Sequence, residues 1–376
     1  LENKKKAIVA GHICLDMTPV FPEQKAEHLE EILQPGKLIH MNGVDVHTGG
    51  AVANTGLAMK ILGNDVSLMG KIGNDYFGKM ALEILKDYDA EQDMIVSETS
   101  ATSYSVVLAV PGIDRVFLHD PGANDTFCAE DLNWEKVQQA DLFHFGYPTL
   151  MKQMYRNHGE KMLEILQRVK SYGVAVSLDM AAVDEASEAG QADWEEILGK
   201  VLPYVDFFVP SAEELCFMID RKRYHEWKQK AAGRDMTEIL HMQDVHPLGE
   251  KVLSLGAKAV LIKCGAPGIY YKTAEREQMR KLCDRLDLNI DEWSDKEGFE
   301  ESYKPEKVLS GTGAGDTSIA AFLTSVLRGE PLAEALQMAA ATGACCVAAY
   351  DALGGLQPLE VLKEKIANGW SKNRSL

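Results

Sequence analysis

Ser310-Gly311-Thr312-Gly313-Ala314-Gly315-Asp316 sets a carboxylate at the end of a glycine-rich run, directly before the apolar residues Ile319, Phe322, Leu323 and Val326 at helical spacing. This pattern predicts a flexible loop feeding a helix N-terminus. There the unpaired N–H groups of Gly313, Ala314 and Gly315, with the positive end of the helix dipole, favour an anion. Their small side chains leave room for a phosphoryl group against bare backbone. Asp316 reads either as a helix cap or as a base. A cap has no need of bare backbone around it, so the glycines favour the base: beside an anion hole, Asp316 takes the proton of an attacking hydroxyl while the amides stabilise the transferred phosphoryl group. The common nucleotide motifs do not fit, since no Gly-Lys-Ser/Thr follows the glycines and a dinucleotide fingerprint would sit early in a βαβ unit.

The elements that must position this loop read as an α/β chain. Residues 7–11 form a short apolar run ending in glycine, a buried first strand, and Asp16 follows just beyond it. Residues 37–41 and 44–48 flank Asn42-Gly43, the pattern of a hairpin, and residues 104–119 predict a second one. Together they predict a small antiparallel sheet set apart from the main one. Between them Gly49-Gly50 opens a helix that Gly63-Asn64 closes. From about Asp141 strand-length apolar runs at 142–145, 174–178 and 206–209 alternate with helical segments at 151–172 and 193–202, which implies a mostly parallel sheet covered by helices on both faces. Residues 259–271 read as strand, tight turn, strand. The charged stretches 221–246 and 273–304 read as surface insertions flanking the nucleotide site. After Asp316 the helix ends at Arg328-Gly329, Pro331 starts a buried one, and Gly354-Gly355 turns the chain into a final helix.

Gly-Thr-Gly-Ala-Gly-Asp at 311–316 resembles the second signature of the ribokinase-like (PfkB) sugar kinases. Gly-Gly-x-x-x-Asn at 49–54, followed by Leu62-Gly63 and the run Gly70 to Gly78, resembles their first. The resemblance covers nearly the whole chain. It implies one ribokinase-like α/β domain over residues 1–376 with a β lid inserted at about 14–48 and 103–120. It also implies ATP-dependent phosphotransfer to a hydroxyl of a sugar or sugar acid, with Asp316 as catalytic base and Gly313, Ala314 and Gly315 as the anion hole. By the same resemblance Asp16, Gly49, Gly50 and Asn54 hold sugar hydroxyls, and the segment carrying Lys263, Gly265 and Gly268, with Thr312, cradles the nucleotide. Residues 209–215 correspond to the family's Asn-x-x-Glu element, which organises Mg²⁺ through water. Here Ser211 stands for the Asn, while Glu214 keeps its spacing. Members activated by K⁺ often carry Asp-Thr where this chain has Ser310-Gly311, so a monovalent cation stays an open question. Two alternatives stand beside this reading. A nucleoside kinase would need an aromatic platform for the base, which Phe21, Tyr104 or Phe117 could supply. A catalytically silent sugar-binding relative is the other, and the intact Asp316 and its glycines argue against it.

Composition narrows the partners. A formal charge of −18 argues against nucleic acid or an anionic membrane as the main partner. The seven cysteines show no Cys-x-x-Cys pair, so a reducing cytoplasm without disulfides or zinc is expected. No stretch is long and apolar enough to span a bilayer, the N-terminus lacks the apolar core of a signal peptide, and the absent initiator Met suggests a trimmed chain. A homodimer through the outer face of the lid, using Leu38, Val44, Val106 and Leu108, is a further expectation.

Overall fold

The computed structural model describes residues 4–23, 28–113, 115–349 and 351–373. In chain order the strands are β1 (Lys6–Gly11), β2 (Cys14–Pro19), β3 (Val44–Gly49), β4 (Asp65–Gly73), β5 (Ile95–Ser97), β6 (Tyr104–Leu108) and β7 (Val116–Asp120). They continue with β8 (Leu142–Gly146), β9 (Ala175–Asp179), β10 (Phe207–Phe208), β11 (Ala259–Lys263), β12 (Gly268–Thr273) and β13 (Glu297–Glu301). Nine of them form one sheet in the order β13-β12-β11-β10-β9-β8-β1-β4-β5. From β5 to β11 neighbours run parallel, and β12 and β13 close the edge antiparallel. Alternating side chains feed two cores, one on each face. Val9 and Phe207 belong to one, with Phe322 and Trp293, whereas their neighbours Ile8 and Phe208 belong to the other, with Phe145 and Trp194. Both faces are therefore buried, as a parallel sheet between helical layers requires.

The small sheet has four strands in the order β3-β2-β6-β7. Its pairs β2–β3 and β6–β7 are antiparallel, and β2–β6 is parallel. The hairpin expected over 37–48 does not form, because residues 37–41 carry no strand. The partner of β3 is instead β2, with Gly43 and Asn42 tied to Val20 at the end of a long connection. The Asn-Gly signal lies beside a strand start, but the partner is set by the core-facing residues of β2.

Four further expectations need correction. The segment 273–304 is not a surface insertion. Its helix Arg276–Leu286 buries Met279, Leu282, Cys283 and Leu286, Trp293 is buried, and β13 completes the sheet edge. The apolar residues recur at helical spacing inside a charged sequence, so charge count hid an amphipathic face. In 221–246 the helix Arg221–Ala231 likewise buries Trp227 and Ala231. The expected helix over 151–172 is broken at Arg156–Gly159, where Asn157 and His158 adopt φ of 49° and 55°, and resumes as Glu160–Ser171. Of the run 206–209 only Phe207–Phe208 pairs as strand.

Candidate active site

The C-terminal ends of β8 and β11 bring Tyr147 and Lys263 to the start of the helix Ala314–Leu327, and the end of β9 brings Asp179 to Lys263, the place where open α/β sheets bind ligands. Gly313 caps that helix, with a φ of +73° and a position at which a Cβ would lie 2.2 Å from the Cβ of Ala352. Only glycine fits there on both counts. Asp316 stands in the first turn, 4% exposed. Its Oδ2 accepts a hydrogen bond from Asn54 Nδ2 at 3.0 Å, and its Oδ1 accepts from Tyr147 Oη at 2.7 Å and from Thr55 Oγ1 at 3.3 Å. Sequence reasoning missed Tyr147 and Thr55. Tyr147 directly follows β8 with φ of 62° and precedes Pro148, and this turn aims the phenol at the carboxylate. Burial, then the charge of Asp316, pushes the phenol's ionisation well above its ordinary range, so it acts as a donor.

On the anion side the helix leaves the first-turn amides of Gly315 and Asp316 without intrahelical acceptors. The Ala314 N–H makes only a long 3.4 Å contact to the Gly311 carbonyl. Lys263, at the end of β11, lies beside this turn: a Cβ on Gly315 would be 3.5 Å from its Nζ. Its partner is Asp179, at the end of β9, with Nζ to Oδ1 at 2.8 Å. Asp179 is fully buried, and its Oδ2 has no partner among the described residues. Burial, reinforced by the charges of Glu214 and Asp316, pushes this carboxyl up to about 8 against the pull of Lys263. For Lys263 burial works the other way, but Asp179 and Glu214 outweigh it and hold the ammonium charged.

Glu214 has turned toward its own helix. Its Oε2 accepts from the Ser211 N–H at 2.7 Å, and the Ser211 hydroxyl accepts from the Glu214 N–H at 3.2 Å, a reciprocal capping box. Gly265 and Gly268 shape the turn between β11 and β12. A Cβ at Gly268 would come within 2.1 Å of the Glu300 carbonyl, and one at Gly265 within 2.8 Å of the Thr237 hydroxyl. Thr312 receives a contact from the Arg115 guanidinium of the small sheet, and its amide donates to Ser310 Oγ at 3.1 Å. The Ser310 hydroxyl thus closes the loop at the position where a carboxylate was expected for K⁺.

The small sheet supplies the opposite wall. Gly49 lacks a Cβ because that atom would be 2.1 Å from Asp16 Oδ2, and Gly50 combines φ of +83° with His12 Nδ1 2.5 Å from the would-be Cβ. The Gly-Gly pair therefore lets Asp16 and His12 press against bare backbone. The Cys14 thiol donates to Asp16 Oδ1 at 3.3 Å, and burial raises this carboxyl. Between the walls runs a cleft of about 850 Å³ that reaches from Asp16 past Asn54 to Thr312. Among the expected aromatic platforms only Phe117 lines it. Phe21 is buried against Val110, and Tyr104 packs edge-on to Phe77 with ring centroids 5.5 Å apart.

Comparison with known proteins agrees with this geometry. The family model described as pfkB family carbohydrate kinase matches residues 6–357. An uncharacterised sugar kinase of Archaeoglobus fulgidus is 22% identical over 302 residues, which covers 80% of this chain and 98% of the relative. Fructokinase-2 of Oryza sativa subsp. japonica is 24% identical over 339 residues, 85% of this chain and 84% of the relative. Among solved structures, the ribokinase of Thermotoga maritima superposes with a TM-score of 0.68 at 20% identity, covering 97% of this chain and all of that one. The ribokinase of Arabidopsis thaliana, solved with ribose and ATP, gives 0.66 at 19% identity, covering 96% and 98%.

Proposed function

Because the chain belongs to the pfkB family of ATP-dependent carbohydrate kinases, we propose that it transfers the γ-phosphoryl group of ATP to one hydroxyl of a sugar or sugar acid, with Asp316 as general base. One observation carries the reading. A buried carboxylate, oriented by three donors, stands in a helix turn whose open amides and neighbouring ammonium suit a phosphoryl group. Asp316 takes the proton of the acceptor hydroxyl, and Tyr147, Thr55 and Asn54 keep its oxygens aimed. The amides at Gly313 to Gly315 and the Lys263 ammonium stabilise charge on the phosphoryl oxygens. Asp16, Gly49, Gly50 and Asn54 position the sugar, and the small sheet excludes water as a lid inserted in one domain. Thr312, Gly265 and Gly268 flank the nucleotide.

The acidic side chains also suit Mg²⁺. Asp179 with its unpartnered oxygen, Glu214 and Asp316 gather around a single lysine, and the rise of the Asp179 carboxyl reflects acidic groups that one ammonium does not offset and a divalent cation would. Glu214 and Asp179 would hold the ion through water, and the ion, when bound, supplies positive charge to the phosphates. No helix among the described residues is long and apolar enough to cross a membrane. The seven free thiols fit a reducing cytoplasm. We read the outer lid face, with Val44 exposed and Val106 and Leu108 half-buried on the same side, as a homodimer surface. Phe117 in the cleft supports a nucleoside kinase as the second reading.

ADP release with a panel of sugars, sugar acids and nucleosides tests the proposal. A substrate-dependent signal that Asp316→Asn abolishes is expected. Absence of any such signal, or an Asp316→Asn enzyme as active as wild type, refutes it.

A further inference from the structure

We infer that the substrate is uncharged where it meets the lid, a neutral polyol rather than a sugar acid or a sugar phosphate. This rests on the kinase reading and narrows it. The argument starts from the register of the small sheet. Asp16 pairs with His47 on β3 and with Ser105 on β6, and Ser105 pairs with His119 on β7, so His47, Asp16, Ser105 and His119 form one row across all four strands. Residues directly opposite share a face, so the row looks one way. Two residues along, Thr18 opposite Asp45 and Val107 opposite Phe117 lie on that same face. Asp16, His47, Thr18, Asp45, Val107 and Phe117 all line the cleft, which identifies this face as the inner one.

The charge on this wall is negative. Asp16, Asp45 and Asp351 line the cleft, and among the described lining residues Arg115 is the one permanent cation. Arg115 is placed at the other end, on the Thr312 hydroxyl and 3.7 Å from a would-be Cβ on Gly311. An anion there would occupy the place of the transferred phosphoryl group. Behind the Asp16 end, the two buried histidines His119 and His12 do not supply positive charge. His119 shares a 3.1 Å hydrogen bond with Ser105 Oγ, and burial holds its ring below the ordinary range despite Asp16 and Asp120. His12, its ring 5.2 Å from that of His119 and 6.1 Å from that of Tyr147, is 2% exposed. Neither of its nitrogens has a partner among the described residues, and burial, then His119, lowers it to about 3.

A neutral imidazole offers one donor and one acceptor, a carboxylate two acceptors, and a hydroxyl can answer all of them. Neighbouring hydroxyls of a polyol therefore satisfy this wall. A carboxylate or phosphate placed there would meet Asp16 and Asp45 with no lysine or arginine at this end to offset the repulsion, and like-charge juxtaposition is an effective means of rejecting a ligand.

The test uses matched pairs with the full chain: glucose against gluconate, fructose against fructose 6-phosphate, and ribose against ribose 5-phosphate. Binding is measured by calorimetry, and ADP release is followed separately. At least one neutral member should bind, with its anionic counterpart weaker by on the order of 100-fold. Asp16→Asn should shrink that ratio at least about tenfold, because it removes the charge and keeps the shape. Asp45→Asn, which leaves the row intact, should shrink it less. An anionic member binding as tightly as its neutral partner overturns the inference, as does a ratio indifferent to Asp16→Asn or a panel in which no neutral sugar binds. The two readings fail separately. Neutral sugars that bind without ADP release sink the kinase reading alone, whereas ADP release fastest with an anionic sugar keeps the kinase and sinks the neutral substrate.

Discussion

Substituting Asp316 in two ways separates its chemistry from its place in the fold. Asp316→Asn keeps the shape but cannot take a proton, so turnover should fall by ~10²–10⁴, the usual range for loss of a general base. Its effect on stability follows from the three donors around the carboxylate. The amide oxygen can face Asn54 Nδ2, and the amide nitrogen then faces the hydroxyls of Tyr147 and Thr55, which can rotate to accept. All three contacts survive in altered form, so stability should stay within about 1 kcal/mol of wild type.

Asp316→Ala removes the acceptor from all three donors. A buried donor left without a partner costs ~1–3 kcal/mol, and the two hydroxyls can seek other acceptors where the Asn54 amide cannot, so a total loss of ~2–4 kcal/mol is expected. Urea denaturation read as midpoint shifts, with ADP release on the same preparations, measures both quantities. An Asn variant within threefold of wild-type turnover refutes the base. If the Asn variant is as unstable as the Ala variant, the hydrogen-bond reasoning is wrong even with the chemistry intact.

Lys263→Met takes the hydrogen-bond partner from the buried Asp179 carboxyl, which burial already favours in its neutral form, and should destabilise the protein by ~1–3 kcal/mol. A urea midpoint unmoved by the single change would show that the pair does not hold this corner. Gly49→Ala introduces a Cβ 2.1 Å from Asp16 Oδ2 at a backbone φ of −125° that alanine adopts freely. The sugar KM should therefore rise at least about tenfold while the melting temperature barely moves, and an unchanged KM would remove Asp16 from the sugar wall. For the dimer, light scattering should find two copies in the wild type and one after Val44→Glu with Val106→Glu; a monomeric wild type ends that proposal.

Much of the fold could be read because its strongest signals are local. The continuous apolar runs of β1, β8, β9 and β11 announce buried parallel strands, and glycines 49, 50 and 313 sit where bare backbone is needed. Misreadings occurred where a local rule competed with tertiary burial. Asn42-Gly43 signals a hairpin, but β2 had the better claim on β3 because its inner row belongs over the cleft. The charged helix Arg276–Leu286 looked solvated because its buried residues are a minority at helical spacing.

The site was legible wherever one segment carries a whole piece of chemistry, and illegible wherever the chemistry is shared between distant segments. The glycine loop with Asp316 is such a segment, and so is Gly49 to Asn54. Tyr147 and Asp179 carry no local signal: each is a single residue at or just past the end of a strand, and its significance lies in a partner far along the chain. Tyr147 meets Asp316 169 residues away, and Asp179 meets Lys263 84 residues away. The parallel sheet makes these meetings, because neighbouring strands end side by side whatever their separation in sequence. Since β8, β9 and β11 all end at the same helix turn, the residues at or just past each strand end were the place to look. Asp16 was singled out by the family resemblance rather than by position alone, but applied to β8 and β9 the rule would have marked Tyr147 and Asp179.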